Sequence, residues 1–142
     1  MSGSRVWSFR AAVVTDLPFI YDSWLSSFRD SKWAGVVPNN EYRPTYTKTI
    51  NDLLRRGMTV TLAVADNDPN QIMGFIAHEV RPSGEYAVHY IYVKESFRGH
   101  GLGKDLATSI GLPEHFCYTF RTRTLPPGKG RWVPEIARRL KL

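Results

Sequence analysis

The chain reads as an α/β (α+β) fold, a mixed, mostly antiparallel central sheet with helices on both faces. Three observations predict it. Three β-rich runs follow one another with only tight turns between them, which implies an antiparallel meander. Ahead of the meander, two segments carry apolar residues at helical spacing. Behind it, a strand, a glycine-rich turn and a helical pattern stand in fixed order between Tyr90 and Ile110.

Residues 6–14 (VWSFRAAVV) form the first predicted strand, β-rich with partial alternation. Thr15 or Asp16 caps the next helix, with Pro18 in its first turn, where a missing N–H does no harm. Leu17, Ile20, Trp24, Leu25 and Phe28 give that helix one apolar stripe, and it is expected to end near Asp30. Ser31 to Arg43 is a predicted loop holding Trp33 and Tyr42. Large aromatics on a loop either offer a binding surface or cover the edge of the core. Pro44 and Thr45 open a second helix through Tyr46, Ile50, Leu53 and Leu54, and Gly57 terminates it.

The meander strands are Met58–Ala65, Ile72–Val80 and Glu85–Val93, joined by turns at Asp66–Asn70 and Arg81–Gly84. After the glycine turn, Leu102, Leu106, Ala107 and Ile110 mark a helix, and Phe116 to Arg123 a further strand. Leu125 to Gly130 is a predicted loop. Trp132, Val133, Ile136, Ala137 and Leu140 then form one stripe of a short helix, with Pro134 in its first turn.

A chain of 142 residues is expected to be one domain, 1–142, with a core over 6–122 and a basic loop and helix over 123–142. No apolar run approaches the ~20 residues of a membrane span, so no membrane partner is expected. Met1 to Ser4 lack an apolar signal core, and Cys117 is the one cysteine, so a cytoplasmic protein without disulfides is expected. The charge is uneven. Residues 121–142 hold seven basic residues against Glu135 alone, which accounts for the whole net charge of +6. Such a tail either attracts nucleic acid, an acidic partner or cofactor phosphates, or is a solvated terminus.

The glycine-rich turn, Arg98-Gly99-His100-Gly101-Leu102-Gly103, is the most informative stretch. The first amides of a helix have no partner within it, and the helix dipole adds partial positive charge there. Glycines let the backbone take unusual angles and leave room for a phosphate to approach. Spacing rejects a Walker A loop, because only three residues separate Gly99 from Gly103 and Asp105 follows Lys104. A dinucleotide fingerprint would need a third glycine or alanine where Lys104 stands. What fits is Arg/Gln-x-x-Gly-x-Gly/Ala, met by Arg98, Gly101 and Gly103, after a strand ending in Val93 and with Phe97 just before the arginine. A plain strand-to-helix connection is the alternative.

This segment resembles the pyrophosphate-binding motif of the GNAT superfamily of acyl-CoA-dependent N-acyltransferases, with Glu95 where the family often has proline. The order of elements over residues 6–122 resembles the family's as well. The resemblance implies acetyl-CoA as cofactor and direct transfer of its acetyl group to an amine acceptor. It implies that the amides of Arg98, Gly99, His100, Gly101, Leu102, Gly103 and Lys104 hold the pyrophosphate, and that Ile91, Tyr92 and Val93 line the cofactor's path. The Val93 N–H would meet the thioester carbonyl where the strand bulges. The strand from Phe116 would run parallel to the one bearing Val93, splaying from it to admit the pantetheine arm. Trp33, Tyr42 and Tyr46, between and on the first two helices, would shape the acceptor site. The chain departs from the family in lacking its usual last two strands and the tyrosine-bearing segment that often supplies a general acid. A shorter sheet leaves an edge that a second copy could cover, making a homodimer one expectation.

Transfer to an amine needs a base, and His89 is the first candidate, four residues before Val93 and expected on the same strand face. Its alternative role is a satisfied, half-buried strand histidine. Glu79 and Glu85 are second candidates, able to act through water. Tyr118 and Tyr92 are the nearest substitutes for the missing acid. His78, His100 and His115 show no metal spacing, and no metal is expected. The rival reading is an inactive GNAT-fold binding protein whose basic C-terminal helix contacts nucleic acid or a partner protein.

Overall fold

The computed structural model describes residues 6–26, 39–119 and 129–132. Among these residues, six strands form one sheet in sequence order: β1 (Trp7–Ala11), β2 (Thr59–Ala65), β3 (Asp68–Val80), β4 (Tyr86–Val93), β5 (His115–Tyr118) and β6 (Lys129–Trp132). Pairing is antiparallel from β1 to β4 and parallel from β4 to β6. Three helices accompany the sheet: α1 (Leu17–Ser26), α2 (Asn39–Arg56) and α3 (Leu102–Ser109). The expected mixed, mostly antiparallel sheet is therefore present.

Alternation along the strands divides the core in two. One face presents Val60, Leu62, Phe75, Ala77 and Tyr90 to Ile20 and Trp24 of α1 and Tyr46, Ile50 and Leu53 of α2. The other presents Ala63, Ile76, Val88, Ile91, Val93 and Phe116 to Leu102 and Leu106 of α3. Helices thus cover both faces. On the first, the Trp24 and Tyr90 rings stack with centroids 4.9 Å apart. Such a pair contributes roughly 0.5–1.5 kcal/mol beyond the burial of its area.

β4 is irregular at one point that matters. Ala77 pairs with Tyr90, but the next residue, His78, pairs with Val88, so His89 is an extra residue in β4. The bulge resets the alternation. Val88 lies on the α3 face with Val93, whereas His89 and Tyr90 both turn to the α1–α2 face. The expectation that His89 shares a face with Val93 is therefore corrected: two-residue periodicity holds only while the ladder is unbroken.

Four local expectations are also corrected. Among the described residues helix α2 already runs from Asn39, ahead of Pro44, and Pro44 sits inside it, so Tyr42 is on a helix and not in a loop. Pro44 has no N–H for the Asn40 carbonyl one turn back, a local loss that the rest of the helix, packed through Tyr46, Ile50 and Leu53, outweighs. Strand β3 begins at Asp68, because Asp68 pairs with Ala65 across the two-residue turn Asp66-Asn67. The 3₁₀ turn Val14–Asp16 runs directly into α1, and Asp16 accepts from the Val13 N–H at 2.8 Å and from Arg10 at 2.8 and 3.0 Å, in place of capping α1. Finally, Lys129–Trp132 is a strand paired with β5, where a loop and a helix start were expected. Gly130 permits it: a Cβ there would stand 2.8 Å from a Tyr118 ring atom and 2.9 Å from Phe116. The expected helix over 133–140, the loop over 31–38 with Trp33, and the end of the strand beyond Thr119 lie outside the described residues. Gly57 ends α2 as expected, at φ +109°, with the Met58 N–H donating to the Leu53 carbonyl at 2.9 Å.

β4 leaves no room for a side chain at Gly74 of β3. A Cβ built there would lie 2.5 Å from the Tyr92 carbonyl oxygen and 3.3 Å from Leu102 Cδ2. Backbone cannot yield as a flexible side chain can, so Gly74→Ala is expected to destabilise the fold by about 1–3 kcal/mol, the usual cost of overpacking. Urea unfolding of the two proteins measures it; an equal midpoint would contradict the close approach.

Candidate active site

The turn after β4 forms as its glycines allow. Gly99 and Gly101 take φ +83° and +84°, in the left-handed region where other residues are strained. Gly101 is the N-cap of α3, and no side chain caps it. The first helical bond, Asp105 N–H to Gly101 carbonyl at 3.0 Å, leaves the amides from Gly99 to Lys104 without acceptors among the described backbone. The Arg98 N–H, expected to be one of the open donors, is corrected: it donates to the Glu95 carbonyl at 3.2 Å, closing the 3₁₀ turn before it. A Cβ at Gly99 or Gly101 would meet nothing within 4 Å, so these amides open onto free space. That space is a cleft of about 210 Å³ lined by Val93, Phe97, Arg98, Gly99, Gly101, Leu102 and Gly103. Arg98 folds back and donates through Nε to the Val93 carbonyl at 2.9 Å, pinning the turn to the strand end. Leu102 buries its side chain in the α3 core, so only its backbone faces the cleft edge. Lys104 and His100 are exposed.

The direction of the Val93 N–H follows from its peptide plane. The Tyr92 carbonyl oxygen lies against Gly74 of β3. In a trans peptide the C=O and the next N–H point opposite ways, so the Val93 N–H faces away from β3, towards the β5 side. Lys94 agrees, donating its N–H to Met73 on the β3 side at 2.9 Å.

A polar chain crosses the α1–α2 face below this point. Thr119 Oγ1 lies 2.7 Å from His89 Nδ1, and His89 Nε2 lies 2.5 Å from Glu79 Oε2. Arg56 of α2 donates to both Glu79 oxygens, from Nε at 3.2 Å and Nη2 at 2.5 Å. His89 is fully buried and Thr119 is 1 % exposed. The hydrogen bond from His89, with the Arg56 guanidinium beside it, outweighs burial and holds the Glu79 carboxyl down at about 2. Neither Thr119 nor Arg56 carried any signal in the sequence; only strand register brings Thr119 beside His89. The reading of His89 as a partnered, buried strand histidine describes its surroundings, with burial complete in place of half.

The other candidates are scattered. Tyr118 lies on the α3 face against Gly130, across the sheet from His89, so the first-choice base and acid do not meet. Glu85 is bound by Arg131 at 2.8 and 2.9 Å. Tyr92 is half-buried on the α1 face, 5.9 Å from the Phe19 ring, and burial pushes its hydroxyl pKa up. Ile91 is in the α3 core. Tyr46, expected at the acceptor site, is corrected to a core residue: it is fully buried, 5.9 Å from Trp24, because its helical stripe continues into Ile50 and Leu53. Nothing is described of the Tyr42 side chain, and Trp33 lies outside the described residues.

The low Glu79 pKa links the site to stability. A carboxylate depressed from 4.5 to about 2 in the folded protein contributes stability that is present above pH 4.5 and lost as pH falls towards 2. Glu79→Gln is expected to lower the urea midpoint at pH 7 and to flatten its fall between pH 4.5 and 2. Parallel acid dependence in wild type and variant would contradict the pairing.

The model of the acetyltransferase (GNAT) family matches residues 17–110. A search of curated proteins found no match. Among solved structures, the chain is similar to a possible acetyltransferase from Clostridium difficile 630, with 15 % identity, a TM-score of 0.56, and coverage of 92 % of this chain and 81 % of that one. It is similar to a GNAT phosphinothricin acetyltransferase from Sinorhizobium meliloti in complex with AcCoA, at 18 % identity and a TM-score of 0.52, covering 74 % and 57 %. An acetyltransferase of the GNAT family from Staphylococcus aureus MU50 gives 14 % identity and a TM-score of 0.52, covering 73 % and 62 %. The chain thus spans about three fifths of the length of the last two. At these identities the structures establish a shared fold. The family match covers the meander, the glycine turn and α3, the parts that build the cleft described above, and the chain belongs to the acetyltransferase (GNAT) family.

Proposed function

We propose that this chain moves an acetyl group from acetyl-CoA to an amine by direct transfer. The observation that carries the reading is the open row of backbone amides from Gly99 to Lys104, at the N-terminus of α3 and beside a cleft. A diphosphate suits them: the donors are preformed, the dipole favours negative charge, and no Cβ at Gly99 or Gly101 stands in the way. Bound acetyl-CoA supplies the acyl group and a thiolate leaving group. The chain's own contribution is to align, to stabilise charge and to take up a proton. The Val93 N–H, facing away from β3, offers a donor to a carbonyl oxygen that gains negative charge. His89, bonded to the Glu79 carboxylate, is the proton acceptor of the site. Positioning alone supplies up to about 7–11 kcal/mol in such reactions, so the scattered acid candidates do not count against transfer. The basic excess over 121–142 favours an acceptor bearing phosphate over a basic peptide.

A melt with acetyl-CoA tests the reading. Ligand at 100-fold over its dissociation constant stabilises by about 2.7 kcal/mol, readily seen as a rise in Tm. Gly101→Val is expected to abolish that rise while leaving a folded protein, because the new side chain occupies the anion's approach. No rise at millimolar acetyl-CoA would refute cofactor use and leave the fold as a binding module.

A further inference from the structure

His89 cannot reach an amine with its own ring. Both ring nitrogens are occupied, Nε2 by Glu79 and Nδ1 by Thr119. The partners also fix which nitrogen carries the hydrogen. Glu79, kept ionised by Arg56, is an acceptor only, so it takes the Nε2–H and leaves the lone pair on Nδ1. The Thr119 hydroxyl therefore donates to Nδ1, and its oxygen retains lone pairs for another donor.

We infer that Thr119 is the outlet of His89: its hydroxyl oxygen accepts, through water, the proton given up by the acceptor amine, and passes its own hydrogen to Nδ1. This rests on the transfer reading above. The proton balance closes. The amine loses one proton, Thr119 gains one and gives one, and the imidazole becomes imidazolium. That charge forms beside the Glu79 carboxylate, with Arg56 of α2 beyond it and His78 of β3 near by. Glu79 and Arg56 are positioning residues.

The backbone places Thr119 well for this. Its N–H donates to the Val88 carbonyl at 3.0 Å, the last described rung between β4 and β5. Beyond that rung the edge of β4 leads to Val93, whose N–H faces the same side. Four residues of strand make about 13 Å at ~3.3 Å each, a span that the reacting groups and a chain of two or three waters leading to the buried Thr119 hydroxyl would fill.

Thr119→Val keeps the shape and removes the hydroxyl; Thr119→Ser restores it. With acetyl-CoA and a panel of primary amines, the valine variant is expected to lose kcat by roughly 100-fold or more at unchanged KM for acetyl-CoA, and the serine variant to recover most of it. Imidazole ¹⁵N NMR of the wild-type protein, without cofactor, is expected to show neutral His89 with its hydrogen on Nε2, and a changed Nδ1 signal in the valine variant. Wild-type turnover by Thr119→Val, a hydrogen on Nδ1, or an acetyl ester trapped on Thr119 would each overturn the inference. The NMR arm decides even where the valine variant does not fold. A wild-type protein that binds acetyl-CoA but acetylates no amine refutes the transfer reading itself, and the outlet with it; wild-type transfer that ignores Thr119→Val refutes the outlet alone.

Discussion

The bulge at His89 is the constraint on which the site depends. A regular β4 would send residues 89, 91 and 93 to one face, and the histidine would lie in the α3 core among Ile91, Val93 and Leu106. One extra residue separates the strand into two registers. Its upper half buries Ile91 and Val93 beneath α3, while its lower half delivers an imidazole to the opposite layer. The strand thereby holds an amide turned away from β3 at one end and an imidazole bonded to a carboxylate at the other, with each side chain in surroundings it tolerates.

Burying such a chain is costly unless every member is satisfied. Here it is satisfied in sequence: guanidinium to carboxylate, carboxylate to imidazole, imidazole to hydroxyl. Arg56 remains partly exposed, so the full cost of burying an ion pair is not incurred. The glycine turn follows the opposite policy. Its amides from Gly99 to Lys104 find no acceptor among the described backbone and stand at a surface. The two halves of the site therefore differ in kind, one closed and polar, the other open and presented by backbone alone.

How much of this was legible in the sequence follows from the signals available. The meander, the stripe of α1, the end of α2 at Gly57 and the glycine turn rest on local periodicity and backbone permission, and each could be read directly. Pro44 misled because a proline inside a helix is rarer than one at its start. Trp132 misled because a helical stripe over 132–140 looked stronger than a four-residue strand, whose support comes from pairing with β5. Tyr46 was placed by family likeness, whereas its own spacing to Ile50 assigned it to the core. The family likeness put a bulge at Val93, which is corrected: Val93 pairs in register with Gly74, and the irregularity lies at His89, where no glycine or proline stands near to mark it. Thr119 was invisible for a related reason. It lies thirty positions from His89, and a parallel ladder alone makes them neighbours.

One contact ties the opening strand to the helix behind the glycine turn. The Trp7 indole N–H, on β1, donates to Asp105 Oδ2 on α3 at 2.9 Å, a separation of 98 positions. The loop this bond closes holds α1, α2 and the three strands β2 to β4. The start of α3, with its open amides, is thus tied to a strand laid down far earlier in the chain, which makes the geometry of the turn a long-range property of the domain and not of the turn alone.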